Sequence, residues 1–220
     1  MLSLARPPQA EIKAFLATQQ GRPYSYRDVG ISRVEASVAP AGRAATYDVD
    51  HQRGYLGTGE EVYLAACDAV RCWRMFPPRW TAIEPRQDPQ EGDLVAMLVH
   101  VFGLWWLNAC RIVYTFDEYE PEYDNEHASG TSDGEVVRRF GFAYGTLPDH
   151  VEMGEERFSI EQDAGGRVWY DLAAWSRPRH LLTRVGYPVA RALQARFRRD
   201  SQRAVKAYVS RSVRELAAVS

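Results

Sequence analysis

The chain has 220 residues, of which 45% are hydrophobic and 25% charged, and its formal net charge at pH 7 is −2. This composition suits one globular domain with a sizeable core, and the near-neutral charge argues against non-specific binding to nucleic acid. Three cysteines without a CxxC spacing predict reduced thiols, and the N-terminus lacks the pattern of a secretory signal. The longest apolar run, Leu94 to Leu107, is shorter than the roughly 20 residues of a membrane-spanning helix. We therefore expect a cytoplasmic protein.

The first part of the chain predicts a helical start, a first strand and one clear helix. Residues 1–20 carry a short amphipathic pattern, residues 22–31 have the composition of a loop, and residues 46–55 alternate weakly, as a strand does. Thr58-Gly-Glu-Glu61 has the spacing of a capping box, so we expect the Thr58 hydroxyl and the Glu61 carboxylate to begin a helix. Apolar residues follow at helical spacing, and Pro77-Pro78 ends the pattern.

Three strands and an acidic loop are predicted next. Trp80 to Glu84 fits a short strand, the run from Leu94 to Phe102 fits a buried strand, and the alternation from Leu104 to Phe116 fits a third. Asp117 to Glu135 holds eight acidic residues and no basic residue, which predicts a solvated loop. Its acidic residues lack the order of a calcium-binding loop.

The most informative stretch runs from Phe140 to Pro178 and predicts three strands. Bulky and small residues alternate over residues 140–146, so Gly141, Ala143 and Gly145 share one face. Because glycine weakens a strand interior, we expect a neighbouring helix or a bound ligand to approach that face closely. Two more alternating segments follow, joined by the turn Ala164-Gly-Gly166.

A long helix is predicted at the C-terminus, from Pro188 to about Ala217. Pro188 suits a helix start, and at 1.5 Å per residue such a helix is about 45 Å long, enough to cross a sheet. One apolar stripe follows the helical period, and we expect its Leu193, Phe197 and Tyr208 to be buried. Residues 179–214 also hold nine arginines, which we interpret as the solvated face of the helix.

Several of these motifs resemble one uncharacterised family. They are the run Phe140-Gly-Phe-Ala-Tyr-Gly-Thr-Leu-Pro148, His150, Gly154-Glu-Glu-Arg-Phe158, Val168-Trp-Tyr170 and Ser176-Arg-Pro178. The family is filed as domain of unknown function nineteen-ninety and is found in bacteria and plants. The resemblance covers roughly residues 22–208, with the acidic stretch as an apparent insertion. Since the family has no established activity, the resemblance implies kinship and leaves function open.

The predicted layout is also similar to the START-like helix-grip (SRPBCC) superfamily, in which a sheet wraps the last helix and leaves a cavity for an apolar ligand. By this analogy we predict an α+β fold, with a curved antiparallel sheet around the long C-terminal helix. We expect residues 1–21 to form an N-terminal helical appendage and residues 22–220 to form a single domain.

Glu156 is the most interesting side chain, because the strand period places it on the inner face with Phe158 and Ile160. An ionised carboxylate there needs a partner or a shifted pKa. The candidate partners are the nearby arginines Arg111, Arg139 and Arg157. The alternative is that Glu156 lies at the open end of its strand, either solvated or in a structural ion pair.

Other polar and aromatic residues give weaker signals. His150, Glu152 and Glu155 match no zinc signature, so we expect a surface loop there and no metal. His100, within an apolar run, is expected to be a core histidine. The aromatic residues are core residues more often than pocket residues. They are Trp105, Trp106, Trp169, Tyr170 and Trp175.

Together these features predict a protein that binds a small apolar or amphipathic ligand in a cavity between the sheet and the C-terminal helix. We expect no cofactor, no specific nucleic acid and no transmembrane segment, and the oligomeric state stays open. One alternative is a cyclase- or hydrolase-like enzyme that uses Glu156. Another is a non-catalytic interaction module that uses the acidic loop and the basic helix. The predicted ligand-binding residues are Arg111, Phe142, Tyr144, Glu156, Phe158 and Tyr170.

Overall fold

The computed structural model describes residues 1–34, 47–119, 135–178 and 187–218. The elements in chain order are β1 (Leu2–Ser3), α1 (Gln9–Thr18), a 3-10 turn (Ile31–Arg33), β2 (Asp48–Thr58), α2 (Glu60–Arg71), β3 (Thr81–Glu84), β4 (Leu94–Val101), β5 (Leu104–Tyr119), β6 (Val136–Thr146), β7 (Glu152–Asp163), β8 (Arg167–Pro178) and α3 (Tyr187–Ala217). The predicted interior of the acidic loop, residues 120–134, lies outside the described residues. Its expected start at Asp117 is wrong, because β5 continues to Tyr119.

The strands form one antiparallel sheet in the order β2-β8-β7-β6-β5-β4-β3, and β1 pairs with β5. Neighbouring strands pair antiparallel along the whole order. Register shifts interrupt β2, β5 and β6, the first of them between Tyr55 and Gly57. Irregularities of this kind bend a strand and increase its twist. The result confirms the predicted α+β fold, a curved antiparallel sheet with a long C-terminal helix.

Helices α2 and α3 cover the inner face of the sheet and enclose the main core. Alternation in β6 and β7 turns Phe142 and Phe158 inward, where they meet Trp73 and Phe76 from the segment that follows α2. The rings of Phe142 and Phe158 lie 5.4 Å apart, centroid to centroid. This aromatic cluster fills part of the space between the sheet and the helices.

The contact of α3 with this core differs in part from the prediction. Its fully buried side chains are Ser201, Val205 and Val209, whereas Phe197 and Tyr208 are only half-buried. The middle of α3 packs against α2, and the Tyr208 hydroxyl donates to Asp68 of that helix. The first turns of α3 instead border an open space, so their apolar side chains keep accessible surface.

The outer face of the sheet is covered by the N-terminal part of the chain. A Cβ atom added at Gly145 would lie 2.1 Å from the Tyr26 hydroxyl oxygen and 3.0 Å from the Tyr24 ring. The group that approaches the small face of β6 is therefore this N-terminal segment. The expectation of a helix or a ligand there is wrong.

Helix α1 packs on the same outer face, further along the sheet. Ile12 is 2% exposed and lies against Ala96, Leu98 and Leu107 of β4 and β5. The Gln19 side chain, just after the helix, donates to Asp149 Oδ2 at 2.7 Å. The predicted N-terminal helix is thus present and is attached to the sheet by an apolar contact.

The predicted capping box at the start of α2 is wrong. Gly59 occupies the N-cap position with φ of 101°, and no side chain caps the helix. The Thr58 hydroxyl is hydrogen-bonded to the Tyr55 hydroxyl at 2.7 Å instead. Since a positive φ of this size favours glycine, the backbone at Gly59 decides how the helix begins.

Candidate functional site

A cavity of about 510 Å³ lies beside the aromatic core, between the sheet and α3. It lies between the first turns of α3 and the inner face of β4 to β8, where β6 ends and β7 begins. Its volume falls in the usual range for small-molecule sites, about 300–1,000 Å³. The predicted space between sheet and C-terminal helix is therefore present at one end of the molecule.

Most of the cavity wall is apolar. The apolar lining includes Trp80, Met97, Val99, Leu193 and Phe197. Phe102, Val151 and Val189 also line it, and they are 78%, 40% and 45% exposed. We take these exposed side chains to mark the mouth of the cavity.

Glu156 and Tyr144 form the central polar pair of the cavity wall. Strand pairing places them directly opposite each other on β7 and β6, and the Tyr144 hydroxyl donates to Glu156 Oε2. Burial raises the pKa of Glu156 to about 7, although the Tyr144 hydrogen bond opposes this change. Burial also holds the pKa of Tyr144 well above its usual value. This carboxyl therefore changes charge near neutral pH.

The predicted arginine partners of Glu156 are wrong. Arg111, Arg139 and Arg157 all lie on the outer face, where Arg157 donates to the Ser32 carbonyl at 3.0 Å. The alternative of a solvated strand end is also wrong, since Glu156 is half-buried and lines the cavity. Its hydrogen-bond partner in the described structure is a tyrosine.

A second polar group joins α3 to the sheet beside this pair. Gln194 donates to Glu152 Oε1 at 2.9 Å and to Ser176 Oγ at 3.2 Å. Asp50 of β2 forms a salt bridge with Arg198 at 2.8 Å and accepts two hydrogen bonds from Arg191 in a bidentate contact. Burial raises the pKa of Glu152, while Gln194 and Arg191 oppose the change. Polar contacts thus anchor the helix along one side of the cavity.

The residues considered for a metal do not form one cluster. His150 and Glu152 line the cavity, but the Glu155 carboxylate turns to the outer face and accepts from Tyr26 and Ser32. His150 is 6% exposed, so the expected surface loop is wrong at this residue. In the described ranges no group of three or more His, Cys, Asp or Glu is arranged to hold a metal ion.

Two other sequence interpretations concern aromatic neighbours. His100 is half-buried and stacks on Trp105 with ring centroids 4.6 Å apart, so it is not a core histidine. Trp106 lines the cavity, and its indole N–H is buried without a hydrogen-bond partner in the part of the chain that the structure describes. A water molecule or an acceptor atom of a ligand would satisfy that donor.

The predicted ligand-binding residues separate into three groups. Tyr144 and Glu156 line the cavity. Phe142, Phe158 and Tyr170 lie on the same inner face but are fully buried in the core behind it. Arg111 lies on the outer face, where it donates to the Gln19 carbonyl at 3.3 Å. The structure therefore brings two of the six predicted residues together at the cavity.

The sequence interpretation missed the polar side of α3. Arg191, Gln194 and Arg198 follow one another at spacings of three and four, which places them on one helix face. That spacing could have predicted a polar stripe beside the apolar one. Asp50 had no comparable signal, because its role depends on the pairing of β2 with β8.

The fold and the site together define a helix-grip protein with an internal cavity that has a mostly apolar wall and a few polar groups. In the described residues, no helix is long and apolar enough to cross a membrane. The family profile described as "Domain of unknown function (DUF1990)" matches residues 25–204, so the chain belongs to that family.

The relatives include members from eukaryotes and bacteria. A UPF0548 protein of Dictyostelium discoideum is 32% identical over 214 residues, covering 91% of this chain and 92% of the relative. One from Deinococcus radiodurans is 33% identical, covering 91% and 95%. One from Arabidopsis thaliana is 30% identical, covering 74% of each chain.

Solved structures give weaker similarities. The aromatase/cyclase Zhui from Streptomyces superposes with a TM-score of 0.45 and 14% identity, over 76% of this chain and 96% of that one. A hypothetical protein from Helicobacter pylori superposes with a TM-score of 0.47 and 7% identity, over 74% and 88%.

Proposed function

We propose that this protein binds a small amphipathic molecule in the cavity between the sheet and α3. The observation that carries the proposal is that side chains fill only part of the space between the sheet and α3. Aromatic side chains fill one part of the space between the sheet and the helices, and a cavity of about 510 Å³ remains beside them, with an apolar wall around a few polar groups. Pockets of this size and polarity are typical of sites for small molecules.

The polar pair inside the cavity supports an amphipathic ligand over a purely apolar one. A buried carboxyl beside a tyrosine hydroxyl offers directional hydrogen bonds, whereas a hydrocarbon could donate nothing to the Glu156 oxygen that does not bind Tyr144. The apolar body of the ligand would then lie along Met97, Leu193 and Phe197.

A test of this proposal is to fill the cavity. Ala174 lines it and pairs directly across from Glu156, so Ala174→Leu adds apolar volume beside the polar pair. Native mass spectrometry of the wild type should show a co-purified small molecule, and the variant should lose most of it. Ala207→Leu makes the same change on the exposed surface of α3 and should keep the ligand.

Loss of the ligand from both variants, or from neither, would contradict the cavity as the binding site. Thermal unfolding of each variant checks that the fold is intact.

A second candidate function, an enzyme of cyclase or hydrolase type, is favoured by the state of Glu156. A carboxyl with a pKa of about 7 is suited to general acid or base catalysis at neutral pH. In that case Glu156→Gln would retain the ligand and abolish its conversion, which mass spectrometry of the bound species can follow.

A further inference from the structure

Two carboxylates on the cavity wall keep an unused acceptor oxygen. Glu156 accepts from Tyr144 through Oε2, and Glu152 accepts from Gln194 through Oε1. No described residue donates to Glu156 Oε1 or to Glu152 Oε2. Both residues line the cavity, so these two oxygens can meet a bound molecule.

The nearby positive charges are already engaged. Arg191 contacts both oxygens of Asp50, and Arg198 contacts Asp50 Oδ1 at 2.8 Å. Asp50 is 6% exposed, while the side chains of Arg191 and Arg198 are 33% and 16% exposed, so the carboxylate is the buried member of this cluster. A bidentate contact fixes the orientation of a guanidinium, and the negative charge of Asp50 offsets part of the positive charge that Arg191 and Arg198 would offer to an anionic ligand.

From this arrangement we infer that the ligand is a cationic amphiphile, whose protonated amine lies at Glu152 and Glu156 and whose apolar body follows the wall towards Phe102. The inference rests on the proposed function and adds the chemical class of the ligand.

The chemistry of the head group follows from the free acceptors. An ammonium group brings three donors, so it can donate to a free carboxylate oxygen, and its positive charge offsets the negative charges of Glu152 and Glu156. An alcohol brings one donor and no charge. A carboxylate brings only acceptors, and its charge would repel the charges of Glu152 and Glu156.

The pH dependence should follow from Glu156 and from the titratable and charged groups that face it. These are Tyr144 from β6, Cys110 from β5, Tyr170 from β8, Asp50 from β2, Glu152 from β7 and Arg198 from α3. A bound cation stabilises the ionised form of Glu156 and so releases its proton. Affinity for an amine should therefore rise between about pH 6 and about pH 8, because the amine itself keeps its charge up to about pH 10.

Three probes with the same hydrocarbon chain test the inference. Isothermal titration of the purified full-length protein with decylammonium, decanol and decanoate, each kept below its micelle concentration, gives three dissociation constants. We expect decylammonium to bind at least about tenfold more tightly than decanol, and decanoate to bind most weakly. The preference for decylammonium should increase towards pH 8.

Two variants locate the preference. Glu156→Gln and Glu152→Gln should each reduce the ratio of decylammonium to decanol affinity, and Glu156→Gln should also remove its pH dependence. Glu91→Gln removes the same charge from an exposed turn and should leave the ratio unchanged. Thermal unfolding checks that each variant is folded. If one of the two cavity variants does not fold, the other still tests the preference.

The outcomes separate the two proposals. If decanoate or decanol binds as tightly as decylammonium, the cationic head group is wrong while the cavity remains a ligand site. If the ratio falls equally in Glu91→Gln, the preference is a surface effect and the inference is also wrong. If none of the three probes binds, both the inference and the proposed function fail.

Discussion

Glu155 and Glu156 are neighbours in sequence whose side chains have opposite surroundings. Glu155 is 3% exposed and accepts four hydrogen bonds from the N-terminal segment on the outer face. Glu156 accepts one hydrogen bond from Tyr144 and lines the cavity. The same substitution at the two positions should therefore have opposite effects on stability.

We expect Glu156→Gln to remove a pH-dependent loss of stability. The pKa of Glu156 is about 7 in the folded protein and 4.5 when unperturbed, so the folded state binds the proton more tightly. The tighter proton binding by Glu156 contributes to the free energy of unfolding in full below about pH 4.5, and this contribution is lost as pH rises through about 7. Relative to wild type, the variant should gain up to about 3 kcal/mol over this range. Urea unfolding at a series of pH values measures the difference.

Glu91→Gln is the control for this measurement and should follow the wild-type curve. A constant difference between Glu156→Gln and wild type from about pH 4.5 to about pH 8 would contradict the raised pKa.

Glu155→Gln should lower stability at every pH near neutrality. The Tyr26 hydroxyl and the Ser32 hydroxyl both donate to Glu155 at 2.6 Å, and an amide group cannot accept at both of its heavy atoms. Leaving a buried donor unpaired costs about 1–3 kcal/mol, so we expect a loss of about 3 kcal/mol. Urea unfolding measures the loss, and hydrogen exchange at Gly30 and Ser32 should become faster. Glu118→Gln, on an exposed strand end, should change stability by less than about 0.5 kcal/mol.

The sequence identified Glu156 because the two-residue period of a strand is reliable over a short alternating run. It did not identify the partner. The same period places Arg157 and Arg139 on the outer face, so consistent use of the rule excludes both. Tyr144 could not be chosen from the sequence, because its position opposite Glu156 depends on the register of β6 and β7.

At the level of the elements, the close contacts of β6 with β7 and of β2 with α3 depend on glycines. A Cβ atom added at Gly141 would lie 2.1 Å from the Phe158 carbonyl oxygen, which belongs to the backbone of β7. One added at Gly54 would lie 1.6 Å from Gln202 Nε2, which is the end of a flexible side chain of α3. The two positions differ in what has to move.

Gly141→Ala should therefore destabilise the protein more than Gly54→Ala. We expect a loss of about 3 kcal/mol at Gly141, because the strand backbone must shift, and about 1 kcal/mol at Gly54, because Gln202 can change its rotamer. Chemical denaturation of the two variants gives both values. Equal losses would mean that the backbone of β7 yields as easily as a side chain.

Element boundaries were predictable where periodicity or proline marks them. The long helix predicted from Pro188 to about Ala217 is observed as Tyr187–Ala217, because a helix of this length has a strong period and a proline at its start. The start of α2 was not predictable from the capping box. There the positive φ of Gly59 replaces the side-chain cap, and the sequence pattern of Thr58 and Glu61 allows both arrangements.

At the level of the whole molecule, residues 1–21 pack against the outer face of the sheet. Helix α1 buries Ile12 against Leu98 and Leu107. Gln19 is bound both by its side chain to Asp149 and by its carbonyl to Arg111. We propose that residues 22–220 form the domain and that residues 1–21 stabilise it from outside.

Removal of residues 1–21 should leave a folded protein of lower stability. Loss of Ile12 and its apolar neighbours removes about 3–4 kcal/mol of burial, which corresponds to a fall in Tm of about 10 °C for a chain of this length. Differential scanning calorimetry measures the fall, and near-UV circular dichroism tests for retained packing. Ile12→Ala in the full chain should lower Tm by a smaller amount. Loss of the near-UV signal in the shortened chain would show that the division into appendage and domain is wrong.

The alternation of Glu155 and Glu156 has a consequence for how β7 pairs. A slip of one residue would turn the Glu155 carboxylate towards the cavity and Glu156 towards the N-terminal segment. The hydroxyl and amide donors around Ser32 would then lose the oxygens that they bind, and Phe158 would leave the aromatic core for the outer surface. A one-residue slip would therefore lose contacts on both faces of the sheet. The two adjacent acidic residues thus favour a single pairing register of β7 over the shifted ones.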